Sequence, residues 1–369
     1  MRGLTVAQRW CFWVNLPISG TAFLLLLFFL DVHNPRTSFT DGIKALDWYG
    51  TISLLAVVVM ILLGLDLGGV TYPWSSATIV CLFVFGTMMI GVFFFTQKKL
   101  ATYPLMPLKV FKNSANFAAL TVGISQGMCF IPADYYLPLY FQAVRLASPL
   151  RSGVLILPIT ISESVFGMGS GLITHWTGRT REVMWAGVLL VTVGTGLYIT
   201  FGVSTPLAQL VGFMLIGGSG CGLLFEAPII TIQNTVDQRD VATATATFSM
   251  TRNIATSASI VLGGVVIQNG MAGQGPALRA AGLSPQLVSA FTDGQASANV
   301  DLIAHIQDAS QQLAVRTAFA HSFKKMWIMY TAIAAVGALA GPFFRHKRMS
   351  VEHTETRTGI DEMKKRGDD

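Results

Sequence analysis

The chain contains a series of long, nearly uncharged apolar segments, and these segments limit the folds that it can adopt. About 20 apolar residues span the hydrocarbon core of a bilayer as an α-helix, because each helical residue adds about 1.5 Å. About nine segments of the 369-residue chain approach this length. Only 12% of the residues are charged, roughly half the share that is usual in soluble proteins. The sequence therefore predicts an all-α, multi-pass membrane protein.

The predicted spans follow one another through most of the chain. They cover residues 11–30, 48–65, 77–95, 117–141, 153–173, 183–201, 207–233, 242–267 and 323–344. A longer polar segment, 271–322, separates the last two spans. Within it, Ser284 is placed to cap a short helix that begins at Pro285.

The basic residues predict how the chain is oriented in the membrane. Most of the 25 lysines and arginines lie in the loops after the first, third, fifth and seventh spans and after the last span. Because basic residues are enriched on the cytoplasmic side, we expect a cytoplasmic C-terminus. The predicted organisation is an extracytoplasmic segment (1–10), the first eight transmembrane helices (11–270), an extracytoplasmic loop with short helices (271–322), the last transmembrane helix (323–344) and a disordered cytoplasmic tail (345–369).

One stretch, residues 213–234, combines close-packing residues with an acid. Glycines let helices approach closely in lipid, and this stretch contains four within six residues: Gly217, Gly218, Gly220 and Gly222. Glu226 and an amide, Gln233, follow. This combination is what the wall of a transport path would contain. The alternative is a helix-packing seam with Glu226 near one membrane interface.

Few other ionisable residues lie inside the predicted spans. Such groups are costly at membrane depth unless they face a cavity or a partner. Asp134 and Glu163 are candidates for a proton or substrate path, although Asp134 could instead cap the outer end of its helix. Arg252 is expected to pair with an acid, for which Glu226 is one candidate, or with backbone carbonyls. The candidate path is therefore Asp134, Glu163, Glu226, Arg252 and Gln233.

The patterns of soluble enzymes are absent from the sequence. The six histidines are scattered, the four cysteines show no CxxC spacing, and no phosphate-binding loop is present. We therefore expect no metal, cofactor or nucleic-acid partner, although a membrane enzyme with residues assembled from distant segments remains open. Arg179 and Arg181 lie in a loop between two spans. This loop is either an ordinary cytoplasmic loop or a conformational latch that binds helix ends.

Several stretches resemble the fungal members of the Major Facilitator Superfamily, in particular the 14-span drug:proton antiporters. They are QRWCFWVNLPISG (8–20), LDWYG (46–50), YLPLYFQAV (136–144), SPLRSGVLILP (148–158), GSGCGLLFEAPIITIQ (218–233) and DVATATATFSMTRNIATSASIVLGGVVIQN (240–269). The resemblance implies a helix bundle that exports small amphipathic compounds, such as drugs, toxins or secondary metabolites, by alternating access. It also implies proton uptake as the driving step. The expected partners are the lipid bilayer, a small-molecule substrate and protons.

The chain also departs from that family. Its RWCF segment resembles the stretch that precedes the sixth span of the family, so the resemblance implies that the first five spans are missing. Glu226 stands where relatives more often have glutamine, which favours a role in substrate preference. The alternatives are a truncated membrane fragment that does not transport, and a uniporter or nutrient symporter of the same superfamily. We expect the plasma membrane as its location, with the vacuolar membrane as the alternative.

Overall fold

The computed structural model describes residues 10, 13–30, 39–69, 71–107, 110–111, 113–236 and 240–344. These residues contain helices and turns and no β-strand. They form two units. The first, which ends at Leu46, contains α1 (Asn15–Phe29) and α2 (Phe39–Ala45). The predicted segment 1–10 lies outside the described residues except for Trp10, and so does the predicted tail, 345–369.

The second unit, from Asp47 onward, contains the remaining described helices. They are α3 (Trp48–Leu67), α4 (Ala77–Phe95), α5 (Ser114–Ala143), α6 (Pro149–Thr177), α7 (Thr180–Tyr198), α8 (Leu207–Leu223), α9 (Ala227–Thr235), α10 (Val241–Ala272), α11 (Gly275–Ala280), α12 (Pro285–Thr292) and α13 (Ala309–Leu339). A short π-helix, Thr96–Leu100, continues α4, and two short 3₁₀ helices, Val300–His305 and Gly341–Phe343, flank α13.

Seven helical segments within the described residues are long and apolar enough to cross a membrane. They are Trp48–Leu67, Ala77–Leu100, Ser114–Ala143, Pro149–Thr177, Leu207–Thr235, Val241–Ala272 and Ala309–Phe343. The other two predicted spans also contain helices within the described residues. α1 is apolar but has only 15 residues, whereas α7 has 19 residues and begins with the charged pair Arg181 and Glu182. The all-α membrane fold predicted from the sequence is confirmed.

The glycines of α8 allow it to pack closely against two neighbouring helices. On one face, a Cβ atom at Gly218 would lie 2.7 Å from the carbonyl oxygen of Ile159 in α6. On another face, a Cβ atom at Gly220 would lie 2.4 Å from the backbone nitrogen of Val191 in α7. Side chains at these positions would collide with backbone atoms. The predicted close-packing seam is therefore present, and it holds α8 between α6 and α7.

The segment predicted as a loop with short helices folds against the end of the bundle. Ser284 caps α12 by accepting a hydrogen bond from the backbone N–H of Leu287, as predicted. Leu278, Phe291 and Ile303 are buried in the same apolar core as the bundle helices. This segment is therefore a packed helical cap.

The last long helix begins earlier than the sequence predicts. α13 begins at Ala309, after a cap by Asp308, whereas the predicted span begins at residue 323. No glycine or proline interrupts the intervening residues. Val315 and Phe319 are buried at helical spacing, so the apolar face extends into the helical cap.

Candidate transport cleft

A cleft of about 420 Å³ lies between α5, α6 and the connection from α8 to α9. α6 supplies most of its lining from positions that recur every three or four residues and therefore share one helix face. These positions are Thr160, Glu163, Ser164, Gly167, Met168 and Gly171. α5 adds Phe130 and Asp134, which are four residues apart, and the α8–α9 connection adds Phe225 and Glu226.

The α8–α9 connection is a break in an otherwise continuous apolar segment. Leu224 and Phe225 donate their backbone N–H groups to Cys221 and Gly222, three residues earlier, at 3.2 and 3.1 Å. Pro228 lies in the first turn of α9. Proline removes a helical N–H donor, and its ring clashes with the carbonyl four residues earlier, so an unbroken helix is disfavoured here. The break brings Glu226 to the cleft.

Two carboxyl groups of the cleft contain buried oxygens without a hydrogen-bond partner in the described structure. These atoms are Oδ1 of Asp134 and Oε1 of Glu163. Glu163 is only 3% exposed, whereas Glu226 is exposed. Orphaned buried acceptors are rare in native proteins, because each one loses its hydration. The cleft therefore offers two sites at which a proton or a donor group of a ligand would relieve this desolvation penalty.

Arg252, in α10, lies next to the aromatic wall of the cleft. Its guanidinium carbon is 5.2 Å from the ring centroid of Phe225, a cation–π contact. The Phe225 ring also packs edge-to-face on Phe130, with centroids 4.9 Å apart. No ion pair or hydrogen bond joins Arg252 to Glu226 within the described residues. The direct contact of the arginine is thus with the ring, and its role in a transport path stays a prediction.

The other predicted site residues lie away from the cleft. Gln233 donates from Nε2 to the hydroxyl of Thr245 at 3.0 Å and so links α9 to α10. Arg179 and Arg181 are exposed at the α6–α7 turn, where Arg179 donates its backbone N–H to Thr177 Oγ1. Neither guanidinium has a hydrogen-bond partner within the described ranges, so the latch stays a prediction.

The sequence predicts the acids of the cleft but not the aromatic and methionine side chains that also line it. Phe130, Phe225 and Met168 were not candidates. A signal for the first two was available, because Phe130 is one helical turn before Asp134 and Phe225 directly precedes Glu226. Apolar residues are so common in this chain that only their spacing from an acid distinguishes these positions.

Comparison with known proteins agrees with this architecture. Residues 4–260 match the family model of the Major Facilitator Superfamily. The chain belongs to the Major Facilitator Superfamily. It is therefore a multi-pass integral membrane protein, and its family is one of transporters, not of enzymes.

Several similar curated proteins are fungal MFS-type transporters or efflux pumps. The chain is 39% identical to the MFS-type transporter ppz2 of Metarhizium majus, over 96% of its own length and 61% of that protein. It is 39% identical to the efflux pump dotC of Dothistroma septosporum, over 98% of its length and 62% of that protein. An MFS-type transporter of Aspergillus terreus is 34% identical, over 96% and 68%. The chain thus spans about three-fifths of the length of the first two relatives.

Proposed function

We propose that this chain carries out, or forms the larger part of, proton-coupled efflux of small amphipathic compounds by alternating access. The observation that carries the proposal is the pair of orphaned carboxyl oxygens on Asp134 and Glu163 in one cleft with an aromatic wall. The similar proteins include the efflux pump dotC, which supports export as the direction of transport.

The two carboxyl groups suit a step in which proton binding and substrate binding alternate. A charged carboxylate is costly in a low-dielectric site, and this cost disappears when it binds a proton or a cationic or donor group. Asp134 and Glu163 lie on adjacent helices of the same cleft. Neutralising one group therefore changes the electrostatic environment of the other, which couples proton uptake to substrate release.

The cleft walls suit substrates that combine apolar and polar parts. Phe130, Phe225 and Met168 provide aromatic and polarisable surface. Thr160 and Ser164 provide hydroxyl groups on the same face of α6. Glu226, which is exposed at the edge of the cleft, selects among such substrates in this proposal, and Arg252 holds the Phe225 wall in place.

The proposal is tested with the purified chain in proteoliposomes that carry an imposed pH gradient and a fluorescent amphipathic dye. We expect dye movement that stops when an uncoupler collapses the gradient. Glu163→Gln should abolish gradient-driven movement while leaving dye binding measurable. Glu182→Gln, an exposed acid of α7, is the matched control and should behave like wild type. Dye transport that persists unchanged with an uncoupler would contradict proton coupling.

Glu226→Gln separates selectivity from coupling. We expect an altered preference among dyes with the dependence on the pH gradient retained. Loss of all coupled transport with an unchanged preference would instead make Glu226 the proton site. If the chain inserts and folds but moves no dye under any condition, the alternative of a membrane fragment without transport activity is favoured. We further propose the plasma membrane as its location and Arg179 and Arg181 as a latch at the cytoplasmic end.

A further inference from the structure

A second cavity lies where α5 turns into α6, at the end of the bundle that we expect to be extracytoplasmic. Its volume is about 90 Å³. Two arginines, Arg145 and Arg151, line it together with apolar side chains of α6 and α8, among them Leu155 and Leu207. None of its lining residues is acidic. The cavity is therefore a small cationic site with an apolar wall.

The tight turn between α5 and α6 places both arginines on this cavity. Leu146 adopts a positive φ of 55°, and the backbone N–H of Ala147 returns to the carbonyl of Phe141 at 3.0 Å. Ser148 then caps α6 by accepting a hydrogen bond from the backbone N–H of Arg151. Arg145 comes just before this turn and Arg151 in the first turn of α6, so the connection holds them on two sides of the same space.

Arg145 is anchored through one end of its guanidinium only. Nη1 donates to the carbonyl oxygens of Val203 and Thr205 at 2.9 and 3.0 Å. We find no acceptor for Nη2 or Nε within the described ranges. A guanidinium has five N–H donors in a planar fork, so the fork is held in position while part of it stays available. The Arg151 side chain is exposed at the cavity edge.

The charge around this turn is positive. A third arginine, Arg316 of α13, donates from Nε to the carbonyl of Val144 at 2.8 Å. The positive end of the α6 helix dipole points to the same turn. Cations gathered without an acid in the lining of the cavity repel one another, and a bound anion relieves this repulsion.

The surface beside the cavity is apolar and outward-facing. Leu150 and Val154 of α6 are 82% and 57% exposed, and Leu207 of α8, which also lines the cavity, is 47% exposed. In a transmembrane helix such side chains face lipid. A small soluble anion would not contact this apolar surface. A phospholipid has both a phosphate, which suits the arginines, and acyl chains, which suit the apolar side chains.

We propose that Arg145 and Arg151 bind the headgroup phosphate of a phospholipid, with its acyl chains along the exposed apolar surface of α6 and α8. The guanidinium fork matches the oxygens of a phosphate through paired, charge-assisted hydrogen bonds. The bound lipid would link α5, α6 and α8 at this end of the bundle. This site is separate from the candidate transport cleft, and the proposal does not depend on the direction or coupling of transport.

The test measures lipid binding to the detergent-purified full chain by native mass spectrometry. The probes are dioctanoyl phosphatidylglycerol, dioctanoylglycerol, which lacks the phosphate, and inorganic phosphate. We expect the phospholipid to bind and the other two to bind at least tenfold more weakly. Arg151→Gln should weaken phospholipid binding several-fold, and R145Q/R151Q at least tenfold. Arg279→Gln is the control, because Arg279 is an exposed arginine of α11 that does not line the cavity, and it should bind like wild type.

Each outcome decides between the sources of the anion. Equal binding of dioctanoylglycerol would overturn the proposal in favour of an apolar groove. Inorganic phosphate that binds as tightly as the phospholipid would assign the site to a free anion. Wild-type binding by Arg151→Gln would also overturn the proposal. This single variant remains informative even if loss of the Arg145 anchor prevents folding, because the Arg151 side chain is exposed.

Discussion

Gly222 provides a direct test of the close packing between α8 and α6. A Cβ atom at this position would lie 2.5 Å from the carbonyl oxygen of Glu163 and 2.9 Å from the backbone nitrogen of Gly167. It would also lie 3.0 Å from the Cβ atom of Phe166. Because the first two are backbone atoms, no side-chain rotation can make room. Gly222→Ala must therefore move α6 away from α8.

The expected loss of stability follows from two opposing effects. Overpacking a well-packed core costs about 1–3 kcal/mol, and the rigid neighbours place this site at about 3 kcal/mol. Alanine is a better helix former than glycine by about 1 kcal/mol, which offsets part of this loss. We therefore expect Gly222→Ala to lower the free energy of unfolding by about 2 kcal/mol.

Gly212 is the matched control in the same helix. A Cβ atom there would meet no heavy atom within 4 Å, so Gly212→Ala should be neutral or more stable by up to about 1 kcal/mol. The assay is unfolding in mixed micelles with increasing denaturing detergent, followed by tryptophan fluorescence. If Gly222→Ala is as stable as Gly212→Ala, the close-packing argument is refuted.

Three further changes test other contacts. Phe225→Leu removes the cation–π contact with Arg252 and an aromatic edge contact, and should lower the free energy of unfolding by about 1–2 kcal/mol in the same assay. Gly178 ends α6 with a φ of +65° and has open space around it. Gly178→Ala should therefore lower the free energy of unfolding by about 1 kcal/mol through backbone strain alone. Hydrogen bonds from the hydroxyl and backbone N–H of Ser310 hold the pKa of the Asp308 carboxyl below its ordinary value. This cap therefore stabilises the start of α13 fully at pH values above the ordinary pKa of an aspartate, and the stabilisation is lost as the pH falls through the lowered pKa of Asp308. Amide exchange at Ser310, corrected for its intrinsic rate, should accelerate in acid in the wild type. The same acceleration should be absent in Asp308→Asn.

The sequence predicts the membrane helices well because their signal is local. Length and apolar composition place the helices, and cap residues such as Ser284 place individual ends. The predicted span begins at residue 323 because residues 309–322 include many polar side chains. Val315 and Phe319 nevertheless continue the apolar face of the helix, which begins at Ala309. The helical cap covers this part of α13, and this tertiary contact cannot be read from a local stretch of sequence.

The cleft was only partly predictable because its residues come from three separate segments. Acids are rare inside apolar spans and are therefore easy to recognise, so Asp134, Glu163 and Glu226 could be named from the sequence. Which acids share a site depends on how α5, α6 and α8 pack. Gln233 resembles a path residue in the sequence, yet its amide bonds to Thr245 between two helices. Polar residues inside a membrane protein serve packing as well as transport, and only their neighbours distinguish the two roles.

The close contact between α8 and α6 lies next to the acids of the cleft. The carbonyl oxygen against which Gly222 packs belongs to Glu163, whose carboxyl group lines the cleft. The helix ends at Leu223, directly after Gly222, and the connection to α9 places Glu226 on the same cleft. The spacing between α6 and α8 therefore also sets the spacing between these two carboxyl groups. Under the proposed function, a variant that widens the glycine seam should change substrate handling as well as lower stability. Gly212→Ala, away from that contact, should leave substrate handling unchanged and should not lower stability.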